Sequence, residues 1–368
     1  MDKDLLFQIA LTKVPNIGDI HSKTLVQLLG SAEAVFNSSI RSLEKIEGIG
    51  KVRANCIKSF TAFTQIESEI SFIERNNIQP IFFTSKNYPQ KLLHCIDSPI
   101  MLYFKGNGNL NDEKIISIAG TRNHSTYGSL VCEKLIAELS SYSITIVSGL
   151  AYGIDTIAHK AALDNKLPTI AVLAHGLHTI YPSINYKLSR EIEQQGGLLT
   201  EFCSKSKPDK QNFPRRNRIT AGICDALIIV ESGPKGGSLI TANIANSYNK
   251  DVFAFPGRSI DIKSEGCNAL IKSHKAQLIT SGDDLVKMMG WQKDNISNKT
   301  AQLNLFSNLN DNEKKIVSIL SAEQITDIDT LKFKSELSNH VIAGALLDLE
   351  LSGKIVALPG KRFKLSSQ

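Results

Sequence analysis

The chain has 368 residues, 42% of them hydrophobic and 21% charged, with a formal net charge of +6. That composition excludes a disordered chain and allows two or three core-forming domains. No apolar stretch approaches the roughly 18 residues of a membrane-crossing helix, and Met1-Asp2-Lys3-Asp4 lacks the basic and apolar regions of a secretory signal, so a soluble cytoplasmic protein is expected.

The first 75 residues read as short amphipathic helices separated by two similar turns, Val14-Pro15-Asn16-Ile17-Gly18 and Ile46-Glu47-Gly48-Ile49-Gly50. Such turns aim free amides at a phosphate in helix-hairpin-helix modules, and Lys51 and Arg53 suit the second turn to that task. The same glycines would equally serve to pack a small helical bundle. A domain of this kind is expected over residues 1–78. After Pro80, the run Ile100–Phe104 predicts a strand that acts as a hinge into the main domain.

From residue 115 the pattern becomes short β-branched or apolar runs alternating with helical periods: Ile115–Ala119, Ile144–Val147, Thr169–Ala174, Leu198–Thr200, Ala226–Val230 and Val252–Phe255. This alternation predicts an α/β domain over residues 79–287, a doubly wound, mainly parallel Rossmann-like sheet. Residues 288–312 are polar and asparagine-rich and read as a linker. The segment 313–368 shows helix signals at Glu313–Leu320, Leu331–Ser335 and His340–Ser352. A strand-turn-strand follows, turning at Pro359-Gly360, which together describe a winged helix.

Ligands of doubly wound sheets bind at the loops leaving the carboxyl ends of the strands. The first such loop, Gly120-Thr121-Arg122-Asn123-His124, is not a dinucleotide fingerprint, and no acidic residue ends the second strand to hold a ribose. A nicotinamide cofactor is therefore not expected. The second loop, Ser148-Gly149-Leu150-Ala151-Tyr152-Gly153, offers close approach at Gly149 and a hydroxyl from Ser148, which suit a phosphate beside Arg122. Asp155 is expected to cap the next helix. Arg122 has two readings, a phosphate ligand or a salt bridge to Asp155 or Glu201.

Between Ser204 and Arg218 six lysines and arginines face a single aspartate, so nearly all the net charge falls there. Within it, Phe213-Pro214-Arg215-Arg216-Asn217-Arg218 mixes cations with an aromatic, the combination a single strand needs for its phosphates and its unpaired base faces. Phe213 as a core anchor beneath a solvated helix start is the alternative. However, cations opening a helix oppose its dipole unless an anion sits among them. A third glycine-rich loop, Glu231 to Gly237, carries Lys235 at its tip. His175 and His178 have no carboxylate or cysteine at ligand spacing, and the six separated cysteines predict reduced thiols, so neither metal nor other cofactor is expected.

Taken in order, these loops resemble the DNA-processing protein A family (DprA, also called Smf). The resemblance rests on Ala119-Gly120-Thr121-Arg122, Ser148 to Asp155 with Ala158-His159, Gly176 to Pro182, Phe213 to Arg218, Gly237 to Ala242 and Phe255-Pro256-Gly257. It implies a non-catalytic protein that binds incoming single-stranded DNA during natural transformation and recombination, protects it, helps load the RecA recombinase against single-strand binding protein, and forms a homodimer. It also implies DNA contacts at Gly120, Arg122, Ser148, Gly149 and the segment Phe213, Arg215, Arg216, Asn217 and Arg218. Lys235 is added from its local chemistry. Departures from the family pattern are Thr121, Thr200, His178 and Lys275, the last placing a side chain where a turn glycine is usual.

Two other classes compete. A Rossmann enzyme cleaving nucleoside monophosphates would carry a glutamate shortly after a Pro-Gly-Gly loop, whereas Gly236-Gly237-Ser238 is followed by Thr241-Ala242-Asn243. A duplex-binding regulator would place its third winged-helix helix in a groove, but His340–Ser352 holds Asp348 and Glu350 and no lysine or arginine.

Overall fold

The computed structural model of the protein describes residues 3–293, 310–323, 326–335, 337–352, 354–358 and 361–365. These form two compact units, one up to Lys293 and one from Asp294.

The β-branched runs fold as strands because each alternates its side chains between two faces that are both covered. In sequence the strands are β1 (Gln79–Phe82), β2 (Met101–Gly106), β3 (Ile115–Ala119), β4 (Thr145–Ser148), β5 (Thr169–Val172), β6 (Gly196–Thr200), β7 (Ala226–Ile229), β8 (Asp251–Ala254) and β9 (Gln277–Leu278). They form one sheet in the order β1-β2-β6-β5-β4-β3-β7-β8-β9. Strands β3 to β9 pair in parallel, whereas β2 runs antiparallel to β6 and β1 antiparallel to β2. The run expected to be a hinge is thus part of the sheet, with Tyr103 opposite Thr200. Its residues are buried from Met101 to Phe104, so the strand gains more as sheet than as an exposed connection.

On one face Ile116, Ile118, Ile146 and Ile228 pack under α8 (Thr126–Leu139) and α9 (Ile154–Asp164). On the other, Ile115, Ile170, Leu199 and Leu227 share a core with α11 (Asn212–Gly222) and α12 (Gly237–Ser247), and with the N-terminal helices. Helix α10 (Tyr186–Gln195) closes a small satellite core around Leu173 and Leu198.

The N-terminal helices run from Lys3 to Arg75 and include α2 (Asp19–Leu29), α5 (Gly50–Lys58) and α6 (Phe63–Arg75). Gly48 and Gly50 take positive φ. The Arg53 guanidinium donates to the carbonyls of Gly48 and Asn16, at 2.7 and 3.0 Å, so it ties the two similar turns together. Two polar clamps join these helices to the sheet. Asp19 accepts from the Ile100 amide at 3.0 Å, and Glu69 accepts from the Ser204 amide and hydroxyl at 2.7 and 2.6 Å.

The second unit holds helices Asp311–Glu323, Ile328–Ser335 and Asn339–Leu351, with strands Thr326–Asp327, Ile355–Leu358 and Arg362–Leu365 in one antiparallel sheet. Ile316, Leu320, Leu331, Leu346 and Leu349 form its core, which is the architecture of a winged helix. Residues 294–309 of the expected linker and the Pro359-Gly360 turn lie outside the described residues.

Candidate nucleic-acid interface

The strand order reverses around β3, with β4, β5 and β6 on one side and β7 and β8 on the other. The crevice outside β3 and β7 is where a doubly wound fold places its ligand. Here that crevice is filled from within. Glu231, at the end of β7, is 2% exposed. Its carboxylate accepts the Ser125 amide at 2.8 Å and the Ser125 hydroxyl at 2.5 Å. Ser125 in turn caps α8 by accepting the Gly128 amide at 3.1 Å. The anion site at this helix N-terminus therefore already holds an anion.

What remains open is the rim. Arg122 is exposed and its guanidinium lies 5.0 Å from the centre of the Phe213 ring, over its face. Tyr181, 43% exposed, meets the same ring edge-on at 6.2 Å. Arg122 is held there from behind. Gly153 has φ +77° and a Cβ on it would stand 2.6 Å from the Arg122 carbonyl oxygen, while the Ile154 amide donates to the Thr121 carbonyl at 3.2 Å. Only glycine lets the second loop press so close to the first. Gly120 is half-buried, and a Cβ on it would stand 2.6 Å from the Ile154 side chain.

The basic helix start divides by depth. Arg215 is exposed, lies over Phe202 at 5.1 Å and donates to Glu201 at 2.9 Å. Arg218, 8% exposed, donates to the same Glu201 oxygen at 2.5 Å, to the carbonyl of Asp97, and pairs with Asp19 at 3.2 Å. The anion that justifies cations at the start of α11 is thus Glu201, a protein carboxylate. The carboxylates around Arg218 outweigh its desolvation and raise its pKa. Arg216 is 5% exposed and donates to the Val172 carbonyl at 2.5 Å. Its guanidinium crosses Gly149, where a Cβ would stand 2.0 Å from Nη1. Burial lowers its pKa, with Asp155 opposing that shift. Half-buried Asn217 accepts from Arg216 Nε at 3.2 Å.

Several expectations are corrected by these positions. Arg216 and Arg218 are buried and engaged, so neither faces an incoming phosphate. Ser148 is fully buried and its hydroxyl donates to the Ile118 carbonyl at 2.7 Å, which fixes β4 to β3 rather than serving a ligand. Asp155 does not cap α9. The capping position is Gly153, and Asp155 sits inside the first turn, accepting the Ala151 amide at 3.3 Å. Burial raises its pKa, partly offset by Arg216. Arg122 pairs with neither Asp155 nor Glu201 among the described ion pairs. At Lys275 the turn is accommodated by its neighbour, since His274 carries the positive φ. Phe213 is half-buried with Arg122 on its face, so it is neither a core anchor nor a free platform.

Lys235 stands exposed at the tip of the loop after β7. The Thr121 amide donates to the Glu231 carbonyl at 2.8 Å, which joins that loop to the one bearing Arg122. Tyr181 was not expected in the site, and Glu201, expected only as a possible partner of Arg122, holds Arg215 and Arg218 instead. Tyr181 was visible as the aromatic of the Tyr181-Pro182 pair. Its neighbour His175 is buried, with Nε2 accepting the Tyr181 amide at 3.2 Å and Nδ1 facing the Gly176 carbonyl at 2.9 Å. Burial lowers the His175 pKa, in keeping with a neutral ring.

Residues 79–290 match the family described as DNA recombination-mediator protein A, and residues 306–361 match the DprA winged helix domain. The chain is 30% identical over 393 residues to Protein Smf of Synechocystis sp., covering 97% of this chain and 98% of that one. It is 42% identical over 199 residues to DNA processing protein DprA of Streptococcus pneumoniae, 54% of this chain and 70% of that one. The X-ray structure of the Streptococcus pneumoniae protein superposes with a TM-score of 0.67 at 32% identity, covering 78% of this chain and 98% of that one. DNA processing protein A from Helicobacter pylori, solved to describe its single-stranded DNA binding mode, superposes with a TM-score of 0.53 at 31% identity over 58% of this chain and 97% of that one.

Proposed function

The chain belongs to the DNA recombination-mediator protein A family, also known as DprA or Smf, whose members process DNA, and on that premise we propose that it binds single-stranded DNA along the carboxyl edge of its parallel sheet. The observation that carries this reading is the exposed Arg122 guanidinium stacked over Phe213, with Tyr181 at the ring's edge and Arg215 on the adjoining turn. A flexible strand supplies phosphates to the cations and base faces to the aromatics, whereas a duplex hides those faces. The relative from Helicobacter pylori, described for single-strand binding, supports the same reading.

The direct contacts are Arg122, Phe213, Arg215, Lys235 and the exposed lysines 205, 207 and 210. Gly120 and Gly149 leave room for the Ile154 side chain and the Arg216 guanidinium behind the loops, and Arg216, Asn217, Arg218 and Ser148 hold the platform in place from below. The protein handles the strand without cutting or modifying it. Glu231, the carboxylate opening the third glycine-rich loop, is committed to Ser125 and so is not free to act on a sugar. Release of adenine from AMP by the purified protein would overturn that part.

In the cell the protein acts in the cytoplasm during transformation and recombination, shielding single strands, displacing single-strand binding protein and loading RecA as a homodimer. Its working divisions are a helical domain at 1–78, a DNA-binding domain from 79 and a C-terminal winged helix; the expected linker at 288–312 is trimmed at both ends, because Met289 and Trp291 pack on the sheet core and the first winged-helix helix begins at Asp311. Among the described residues no helix is long and apolar enough to cross a membrane. A gel-shift series at one salt concentration tests the central claim. Tighter binding to a single strand than to a duplex of equal length is expected, and equal affinity would refute it.

A further inference from the structure

Outside the rim, one cleft combines volume, charge and position. It encloses about 1120 Å³ between the N-terminal helices and the loop after β6. Lys13 and Arg75 line it from the helices, and His178 and Lys205 from the sheet domain, all of them exposed. None of the ion pairs among the described residues uses Lys13, Arg75 or Lys205. The carboxylate on the wall, Glu69, is occupied by the Ser204 amide and hydroxyl. Three cations, Lys13, Arg75 and Lys205, face this one carboxylate, so the cleft keeps a net positive charge in a concave site where field lines concentrate.

Its position gives the ligand class. Lys205 is the first cation of the basic segment, which continues through Lys207 and Lys210 to Phe213 and Arg215 at the rim. We infer that this cleft is a second subsite for the backbone of the same single strand, so that a strand seated at Phe213 continues along the basic segment and places phosphates against Lys13 and Arg75. The helical domain then sets how long a strand is held, by charge alone. The cleft has hydroxyls from Ser68 and Ser206 to accompany the cations. This inference rests on the proposed single-strand reading.

The test uses the full chain with Lys13→Glu/Arg75→Glu and, as a control of equal charge change outside the cleft, Arg41→Glu/Lys45→Glu. Binding is measured for oligothymidines of about 5 and about 25 nucleotides, one near the lower end of typical single-strand site sizes and one beyond their upper end. The expected result is that the cleft variant loses roughly tenfold in affinity for the long strand with a salt slope lower by about 1.4, at roughly 0.7 per lost phosphate contact. Its affinity for the short strand is expected to stay at the wild-type value, and the control to match wild type on both. Unchanged long-strand binding, or an equal loss in the control, would overturn the subsite. A duplex of about 25 base pairs showing the same dependence on Lys13 and Arg75 would overturn its assignment to single strands. If the wild type binds neither oligothymidine, the reading at Phe213 fails first and the subsite with it.

Discussion

Arg215 and Arg218 stand three residues apart on one helix and donate to the same Glu201 oxygen, yet they belong to different layers. The Arg215 side chain is 58% exposed and that of Arg218 is 10% exposed. The upper layer, with Arg122, Phe213 and Arg215, keeps cations and an aromatic at the surface, where Arg215 shares Glu201 with Arg218 and still presents most of its side chain to solvent. The lower layer, with Arg216, Arg218, Glu201 and Asp155, spends the same residue type on holding loops and the N-terminal helices together. A cation is useful to DNA only if the protein leaves it within reach of solvent.

The sharpest way to break this division is to remove one residue from each layer. Arg218→Ala should destabilise the fold by about 3 kcal/mol, because it leaves the buried Glu201 carboxylate with only the exposed Arg215 and takes the buried partner from Asp19. Urea denaturation measures this, and a loss under about 1 kcal/mol would place Arg218 in the upper layer after all. A triple alanine variant of Arg215, Arg216 and Arg218 would mix the two layers, so lost DNA binding there would report unfolding as much as contact.

Arg122→Ala/Arg215→Ala should do the reverse. Stability should stay within about 1 kcal/mol of wild type, the cost of the exposed Arg215 pair with Glu201, while single-strand affinity at moderate salt falls by roughly tenfold and the salt slope drops by about 1.4. An unchanged slope would show that neither side chain meets a phosphate. For Phe213→Ala, the expected loss on oligothymidine is about 1 kcal/mol, at the low end of base stacking because the ring is half-buried. Heparin, which offers charge without bases, should bind as before. Parallel losses on both polyanions would mean that Phe213 serves to hold Arg122.

The last prediction concerns pH. Burial pushes the His159 pKa down to about 3 and lowers that of His175. In the unfolded chain both titrate near 6.5, so stability is full above about pH 6.5 and falls below it as the unfolded state takes up protons that the folded state refuses. Chemical denaturation between pH 7 and pH 5 should show this decline, and His159→Gln should make it shallower. A flat profile would contradict a neutral, buried pair.

Much of this was legible in the chain. Six β-branched runs separated by helical periods define a parallel sheet because a strand covered on both faces must be apolar on both, as Ile115 and Ile116 are on their opposite sides. The basic segment and its aromatic were equally visible, because composition records charge wherever it is placed. The role of Ile100–Phe104 was not legible, since an apolar run names a strand without naming its neighbour, and β6 lies about ninety residues away.

The order of the motifs thus determined the family, the α/β architecture, the winged helix and the loops in which to look. Only the tertiary structure decided which arginines are exposed. A helix turns about 100° per residue, so neighbours in one motif face different surroundings. Whether Arg215 or Arg218 becomes buried depends on Asp19, Asp97 and Glu201 arriving from distant parts of the chain. Charge is a property of the residue, but availability is a property of what has been packed beside it.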